Sequence, residues 1–164
     1  RPRLPARGRR GPRRSAGRIV RRTQAEAQVK AAFLDTSGWF AALSPKAARH
    51  RPALAAYRRW IGDGVTLVTT NLVVAEIHIL VSRFRGVAEG VRFLDALYQD
   101  PAHEVVFVDR DLERAAVDGW LRRFADQRLS LADAVSFEVM RTRRLRQALS
   151  LDDHFALAGF ELAP

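Results

Sequence analysis

The sequence contains no cysteine. Disulfides and thiolate metal sites are therefore excluded, and any metal must rest on oxygen or imidazole ligands, which makes hard cations such as Mg²⁺ the natural candidates. Uninterrupted apolar runs approaching the roughly 18–20 residues of a membrane span are also missing, and the basic amino terminus is not followed by the apolar stretch of a signal peptide. The expectation is a soluble, cytoplasmic protein with no membrane contact. Acid is nearly absent from the first thirty residues, where eleven Lys or Arg stand against Glu26 alone. The formal net charge of +10 resides there, because residues 31–164 carry seventeen basic and seventeen acidic side chains. The rest of the chain is formally neutral, so its partners must be argued from local patches and not from bulk charge.

What is present suits one domain: 164 residues, 48% of them apolar, can bury a single core. Residues 1–29 mix Arg with Pro, Gly and Ala without apolar periodicity, which predicts a segment disordered in isolation. It reads as an RNA-binding arm or as an extension ahead of the working domain, and the second reading is preferred. The working domain is placed at residues 30–164.

Regular patterning begins with the apolar run Ala31-Ala32-Phe33-Leu34, a buried strand, which meets a capping cluster at Asp35-Thr36-Ser37. Helices are predicted over Gly38–Leu43 and Ala47–Ile61, and the β-branched run Val65–Thr69 predicts the next strand. Asn71 is read as the cap of a helix over Leu72–Phe84, divided by Gly86 from another over Val87–Tyr98. A strand over Glu104–Val108, a helix over Asp109–Phe124, a helix over Leu131–Arg143 and a strand over Gln147–Ser150 follow. Asp152–Ala158 fits one or two helical turns, and Phe160-Glu161-Leu162 an edge strand. Strands alternating with long helices predict an α/β fold, a three-layer α/β/α sandwich around a mainly parallel sheet.

In such a sheet, ligands bind beyond the carboxyl ends of the strands, so acids that follow strands are inspected first. Asp35 follows the first strand directly and Asp152 lies just beyond the fourth. Glu76 and Asp133 fall in the first turns of helices that can open onto the same edge. Their apolar sequence neighbours, Val73, Val74 and Ile77 around Glu76 and Leu131, Ala134 and Val135 around Asp133, predict burial. Two carboxylates about 5 Å apart repel by roughly 3 kcal/mol at an effective dielectric near 20, and a divalent cation, Mg²⁺ or Mn²⁺, removes that penalty.

Four segments carry a family resemblance. Phe33-Leu34-Asp35-Thr36-Ser37 and Asn71-Leu72-Val73-Val74-Ala75-Glu76 resemble the first two motifs of PIN domains. Leu129-Ser130-Leu131-Ala132-Asp133-Ala134-Val135-Ser136-Phe137 resembles the third, and Ala148-Leu149-Ser150-Leu151-Asp152-Asp153-His154-Phe155 the last. All four stand in the family's order over about residues 31–163. The resemblance, closest to VapC-type toxins, implies a metal-dependent ribonuclease that cleaves RNA phosphodiester bonds with Mg²⁺ or Mn²⁺, the toxin of a toxin–antitoxin pair. Asp35, Glu76, Asp133 and Asp152 are then both the catalytic and the metal-binding set, and an RNA substrate, an antitoxin protein and a homodimer are the implied partners.

Ser37 is read either as a ligand-orienting hydroxyl or as a helix cap, and Ser130 and Ser150 as caps or supporting donors rather than nucleophiles. His50, His78, His103 and His154 show no metal-ligand spacing. Trp60 and Trp120 are assigned to the core, while an exposed Trp39 could stack on a base. The run Arg141, Arg143, Arg144, Arg146 suits either phosphate contacts or a solvated helix end. A haloacid-type phosphatase would want a second Asp where Ser37 stands, and a receiver domain a strand-end Lys near the close of the chain, where residues 31–164 hold only Lys46. The remaining alternative is a non-catalytic PIN-fold module that binds protein. If residues 1–28 act as an RNA-binding arm, their removal weakens RNA binding and flattens its salt dependence, because fewer counterions are released. Filter binding across a salt series measures that slope, and an unchanged slope identifies an inert extension.

Overall fold

The computed structural model describes residues 30–163, and the basic extension assigned to residues 1–29 lies outside them. Ala31–Leu34 (β1) and Thr66–Thr70 (β2) are buried along almost their whole length, as apolar strands covered on both faces must be. His103–Val106 (β3), Gln147–Leu149 (β4) and Glu161–Ala163 (β5) complete a sheet of order β3-β2-β1-β4-β5. Every pairing is parallel, so the mainly parallel sheet expected from the alternating pattern is wholly so.

Helices connect the strands: Thr36–Leu43 (α1), His50–Gly62 (α2), Asn71–Arg85 (α3), Val87–Gln99 (α4), Arg110–Ala116 (α5), Leu131–Arg143 (α6) and Asp153–Leu157 (α7). They pack in two groups, α1 to α4 and α5 to α7, against a core that includes Phe33, Leu67, Ile77, Phe137, Met140 and Phe155. The result is the three-layer α/β/α sandwich. Among the described residues no helix is long and apolar enough to cross a membrane. The strand order has one functional consequence. The chain winds outward from β1 through β2 to β3, then returns to β4 on the other side of β1, which creates a crevice at the carboxyl ends of β1 and β4.

Three local features depart from the sequence expectations. The cap of α3 is Thr70, whose hydroxyl accepts from Val73 N at 3.2 Å. Asn71 instead accepts from Val108 N at 2.9 Å and so ties down the segment after β3. The helix expected over Asp109–Phe124 is α5 followed by a π-helical turn at Val117–Leu121. That turn carries the buried Trp120, whose indole N–H donates to Glu138 Oε2 at 3.1 Å. Trp39, considered for base stacking, is also buried: its ring lies 5.1 Å from Phe93 and stacks on His103 at 5.8 Å.

The arginine run does not reach the crevice. Arg141 pairs with the buried Glu138 and Arg143 with Glu104, while Arg144 adopts the left-handed conformation that ends α6. With Lys30 and Thr66, Arg143, Arg144 and Arg146 line a groove at the amino-terminal edge of the sheet, opposite the crevice.

The first turn of α1 rests directly on the end of β4, where Asp35 N donates to Leu149 O at 3.1 Å. Gly38 makes this approach possible, since a Cβ there would stand 2.3 Å from the same carbonyl oxygen. Main chain cannot yield as a flexible side chain can. Gly38→Ala is therefore expected to destabilise the fold by about 1–3 kcal/mol, read as a lower denaturant midpoint with an unchanged slope, in contrast to Gly62→Ala, where nothing lies within 4 Å.

Candidate active site

Asp35 leaves β1 in an extended conformation and caps α1. Its Oδ2 accepts three hydrogen bonds, from Ser37 N at 3.1 Å, Ser37 Oγ at 2.6 Å and Ser150 Oγ at 2.8 Å. Among the described residues no side chain donates to Oδ1, although the Thr36 backbone N–H also favours the charged carboxylate. Both hydroxyls also bind the far side of the crevice. Ser37 Oγ accepts from Leu151 N at 2.8 Å, and Ser150 Oγ accepts from Asp152 N at 3.0 Å. Ser37 is therefore neither a simple cap nor a free hydroxyl. With Ser150 it stitches the end of β1 to the end of β4.

The other acids arrive from separate elements. Glu76 on α3 accepts from Thr36 Oγ1 at 2.5 Å, which links α3 to the start of α1. Asp133 on α6 forms a capping box: its Oδ2 accepts from Ser130 N and Ser130 Oγ, both at 2.8 Å, while Ser130 Oγ accepts from Asp133 N at 3.0 Å. Asp152 caps α7 and accepts from His154 N at 2.9 Å. Asp153, one residue on, is exposed and begins the helix, so the two adjacent acids occupy different environments.

Asp133, Asp152 and His154 each offer a ligand atom, all within 4.8 Å of one another. Asp35 and Asp133 lie close enough to Glu76 to repel its charge. The four acids picked from sequence thus fall into two linked sets that share Asp133. His154, whose sequence spacing shows no ligand pattern, lies beside two of these acids. Spacings on a regular helix put residues two apart on different faces, but Asp152 is an extended cap residue, and from there it can meet the side chain two residues later. Burial was overestimated as well: Asp35 is buried, Asp133 and Asp152 are half-buried and Glu76 is exposed, because α3 turns its apolar neighbours Val73, Val74 and Ile77 inward and Glu76 outward.

No lysine or arginine among the described residues pairs with any of the four; the ion pairs of Arg92, Arg122, Arg141 and Arg143 go to other acids, and only His154 stands against Asp152. Desolvation accordingly raises the pKa of Asp35 above the ordinary carboxyl range, against the opposing hydrogen bonds of Ser37 and Ser150. Glu76 is raised too, first by lost hydration around its Thr36-bound carboxylate and further by repulsion from Asp35 and Asp133. An oxygen-rich cluster with no cationic side chain fits a hard divalent cation.

Comparison with known proteins agrees with this arrangement, since the PIN domain family model matches residues 32–161 and so contains all four acids. The chain belongs to the PIN-domain family. It is 34% identical over 128 residues to the 23S rRNA-specific endonuclease VapC20 of Mycobacterium tuberculosis, in strains CDC 1551 and H37Rv, a match that covers 78% of this chain and 94% of VapC20. The crystal structure of VapC20, described as a sarcin–ricin loop cleaving toxin, superposes with a TM-score of 0.69 at 33% identity, over 79% of this chain and 96% of that one. FitAcB from Neisseria gonorrhoeae shares the fold, with a TM-score of 0.57 at 17% identity over 81% of this chain and 96% of its own.

The raised carboxyls of this PIN domain have a stability consequence. A group whose pKa is raised on folding contributes stability that is complete below its unfolded pKa and is lost as pH rises through its folded value. At neutral pH, Asp35 in the metal-free protein is therefore a net liability. Asp35→Asn, which can still accept the Ser37 and Ser150 hydrogen bonds, is expected to raise the thermal midpoint of the chelator-treated protein by a few degrees at pH 7.5. The gain should vanish below about pH 3, where the carboxyl is protonated in both states. Differential scanning calorimetry at the two pH values checks this.

Proposed function

We propose that the chain is a metal-dependent ribonuclease of the toxin type and that Asp35, Glu76, Asp133 and Asp152 hold its Mg²⁺ or Mn²⁺. The observation that carries the reading is the convergence of four carboxylates, from four separate elements, on one edge of the sheet with no lysine or arginine among the described residues paired to them. Asp133 and Asp152, with oxygens within 4.8 Å, repel by about 3 kcal/mol at an effective dielectric near 20, before screening by water reduces it. Such a cluster is costly unless it has a ligand. The likeness to VapC20 supports RNA as that substrate, and the 23S rRNA sarcin–ricin loop is the first RNA to test.

When bound, the cation supplies positive charge that lowers the pKa of a water and offsets charge developing on the scissile phosphate. The residues of the chain prepare for it. Ser37 and Ser150 saturate Asp35 Oδ2 and fix the carboxylate's orientation, so that Oδ1 is held ready. Thr36 positions Glu76, and Ser130 positions Asp133 by locking it into the first turn of α6. The raised proton affinities of Asp35 and Glu76 make metal and proton compete, so metal affinity rises with pH as these groups deprotonate.

An antitoxin that covers the site and a second copy of the chain are the protein partners this reading brings with it. Exposed Ile79 and Phe84 on α3, with Val87 and Val91 on α4, supply apolar surface that a protein partner would cover.

Cleavage of the rRNA fragment, followed by gel electrophoresis, should require Mg²⁺ or Mn²⁺ and stop in excess chelator. Asp35→Asn and Asp133→Asn are expected to reduce it by at least about a hundredfold with circular dichroism unchanged, in line with the loss of a transition-state-stabilising group. Asp152→Asn should do the same, whereas Asp153→Asn stays within a few-fold of the parent, since Asp153 only begins a helix. Full activity in chelator would sink the metal assignment. Metal binding without cleavage of any RNA would favour the non-catalytic module.

A further inference from the structure

The four acids offer only oxygen, and His154 beside them offers nitrogen. Its Nδ1 is closed off from water yet has no hydrogen-bond partner. It nevertheless lies only 2.9 Å from Asp152 Oδ1. Distance alone would make this an ion pair, but the two atoms form no hydrogen bond, and Oδ1 is already the acceptor for the backbone N–H of His154. If Nδ1 carries no proton, two lone pairs face each other at contact distance. Either way the imidazole gains little from Asp152 itself.

We propose that His154 Nδ1 is a direct metal ligand beside Asp133 and Asp152, and that this nitrogen biases the site toward Mn²⁺ over Mg²⁺. The inference rests on the reading of the acidic crevice as a metal site. Two donors bound at right angles to one ion, each about 2.1 Å from it, lie about 3.0 Å apart. The 2.9 Å between Nδ1 and Oδ1 is that edge length. Asp133, the third member of the group, offers an oxygen within 4.8 Å of a ligand atom of each of the other two, near the roughly 4.2 Å that separates opposite ligands in the same shell.

The remaining histidines are committed elsewhere. His50 Nδ1 bonds Ala41 O at 2.9 Å, His103 is held between Tyr57 and Asp100, and His78 faces Ser82. Only His154 joins the acids. Imidazole nitrogen suits Mn²⁺ and later transition ions, whereas Mg²⁺ keeps oxygen ligands and sheds water reluctantly, so a nitrogen in the shell separates the two ions.

The test uses the full chain loaded with one equivalent of Mn²⁺ and no RNA. Electron spin-echo modulation should show the ¹⁴N coupling of a directly bound imidazole. The coupling should persist in His78→Ala and disappear in His154→Ala. By calorimetric titration His154→Ala should lose about tenfold in Mn²⁺ affinity and change Mg²⁺ affinity by less than about twofold. Mn²⁺ bound in the parent protein without ¹⁴N coupling overturns the assignment of His154 while leaving the carboxylate site intact, and needs no variant to fold. Equal losses for the two ions also overturn it, because His154 would then act by holding Asp152 in place. If Mn²⁺ does not bind, or if Asp35→Asn and Asp133→Asn bind it as the parent does, the metal reading of the crevice falls and this inference falls with it.

Discussion

The carboxyl edge of the sheet depends on one contact, the seating of the first turn of α1 on the end of β4. There the Leu149 carbonyl accepts from Asp35 N, and Gly38 leaves room for it. The same few atoms do a second job through side chains, because Ser37 and Ser150 bind Asp35 and also anchor Leu151 and Asp152. The strand order makes this geometry necessary. β1 and β4 are far apart in sequence and adjacent in space, and only at their junction do the connections leave in opposite directions.

The acids around that junction oppose the fold as much as they belong to it. Elsewhere the molecule neutralises its buried or crowded charge: Glu138, sealed behind Trp120, has its carboxyl held below the ordinary range chiefly by the hydrogen bonds of Arg141. At the crevice the opposite is true, and Asp35 and Glu76 are held above that range. One protein thus treats two carboxylates in opposite ways. The difference is not burial, which both Asp35 and Glu138 share, but the presence of a guanidinium.

Much of this could be read from the sequence, and what could not has physical causes. β1, β2 and the capping clusters after them are local in origin, since an apolar run followed by Asp-Thr-Ser or Thr-Thr-Asn leaves the chain few other options. The choice between Thr70 and Asn71 as cap is different. Both residues can cap, and the decision is made by Val108, thirty-seven residues away, which claims the Asn71 side chain. The π-helical turn depends on a tertiary partner as well, because Trp120 reaches Glu138 on another helix. Trp39 is buried by Phe93 and His103, which arrive from α4 and β3 and leave no trace in its own segment. His154 meets Asp152 because a cap residue does not follow helical spacing. Of the candidate site, the edge that the four acids share was legible; their unequal burial and the imidazole beside them were not.

The arginine groove at the amino edge has a consequence for how the molecule meets other charged bodies. Arg143, Arg144, Arg146 and Lys30 cluster there with only Glu104 and Glu161, while four carboxylates occupy the opposite edge. Among the described residues, arginine at the amino edge and carboxylate at the crevice thus form separate local patches of opposite sign. A polyanion is attracted locally at the arginine edge and repelled locally by the metal-free carboxylates of the crevice. Whatever neutralises those carboxylates therefore removes the local repulsion that a nucleic acid meets at the crevice.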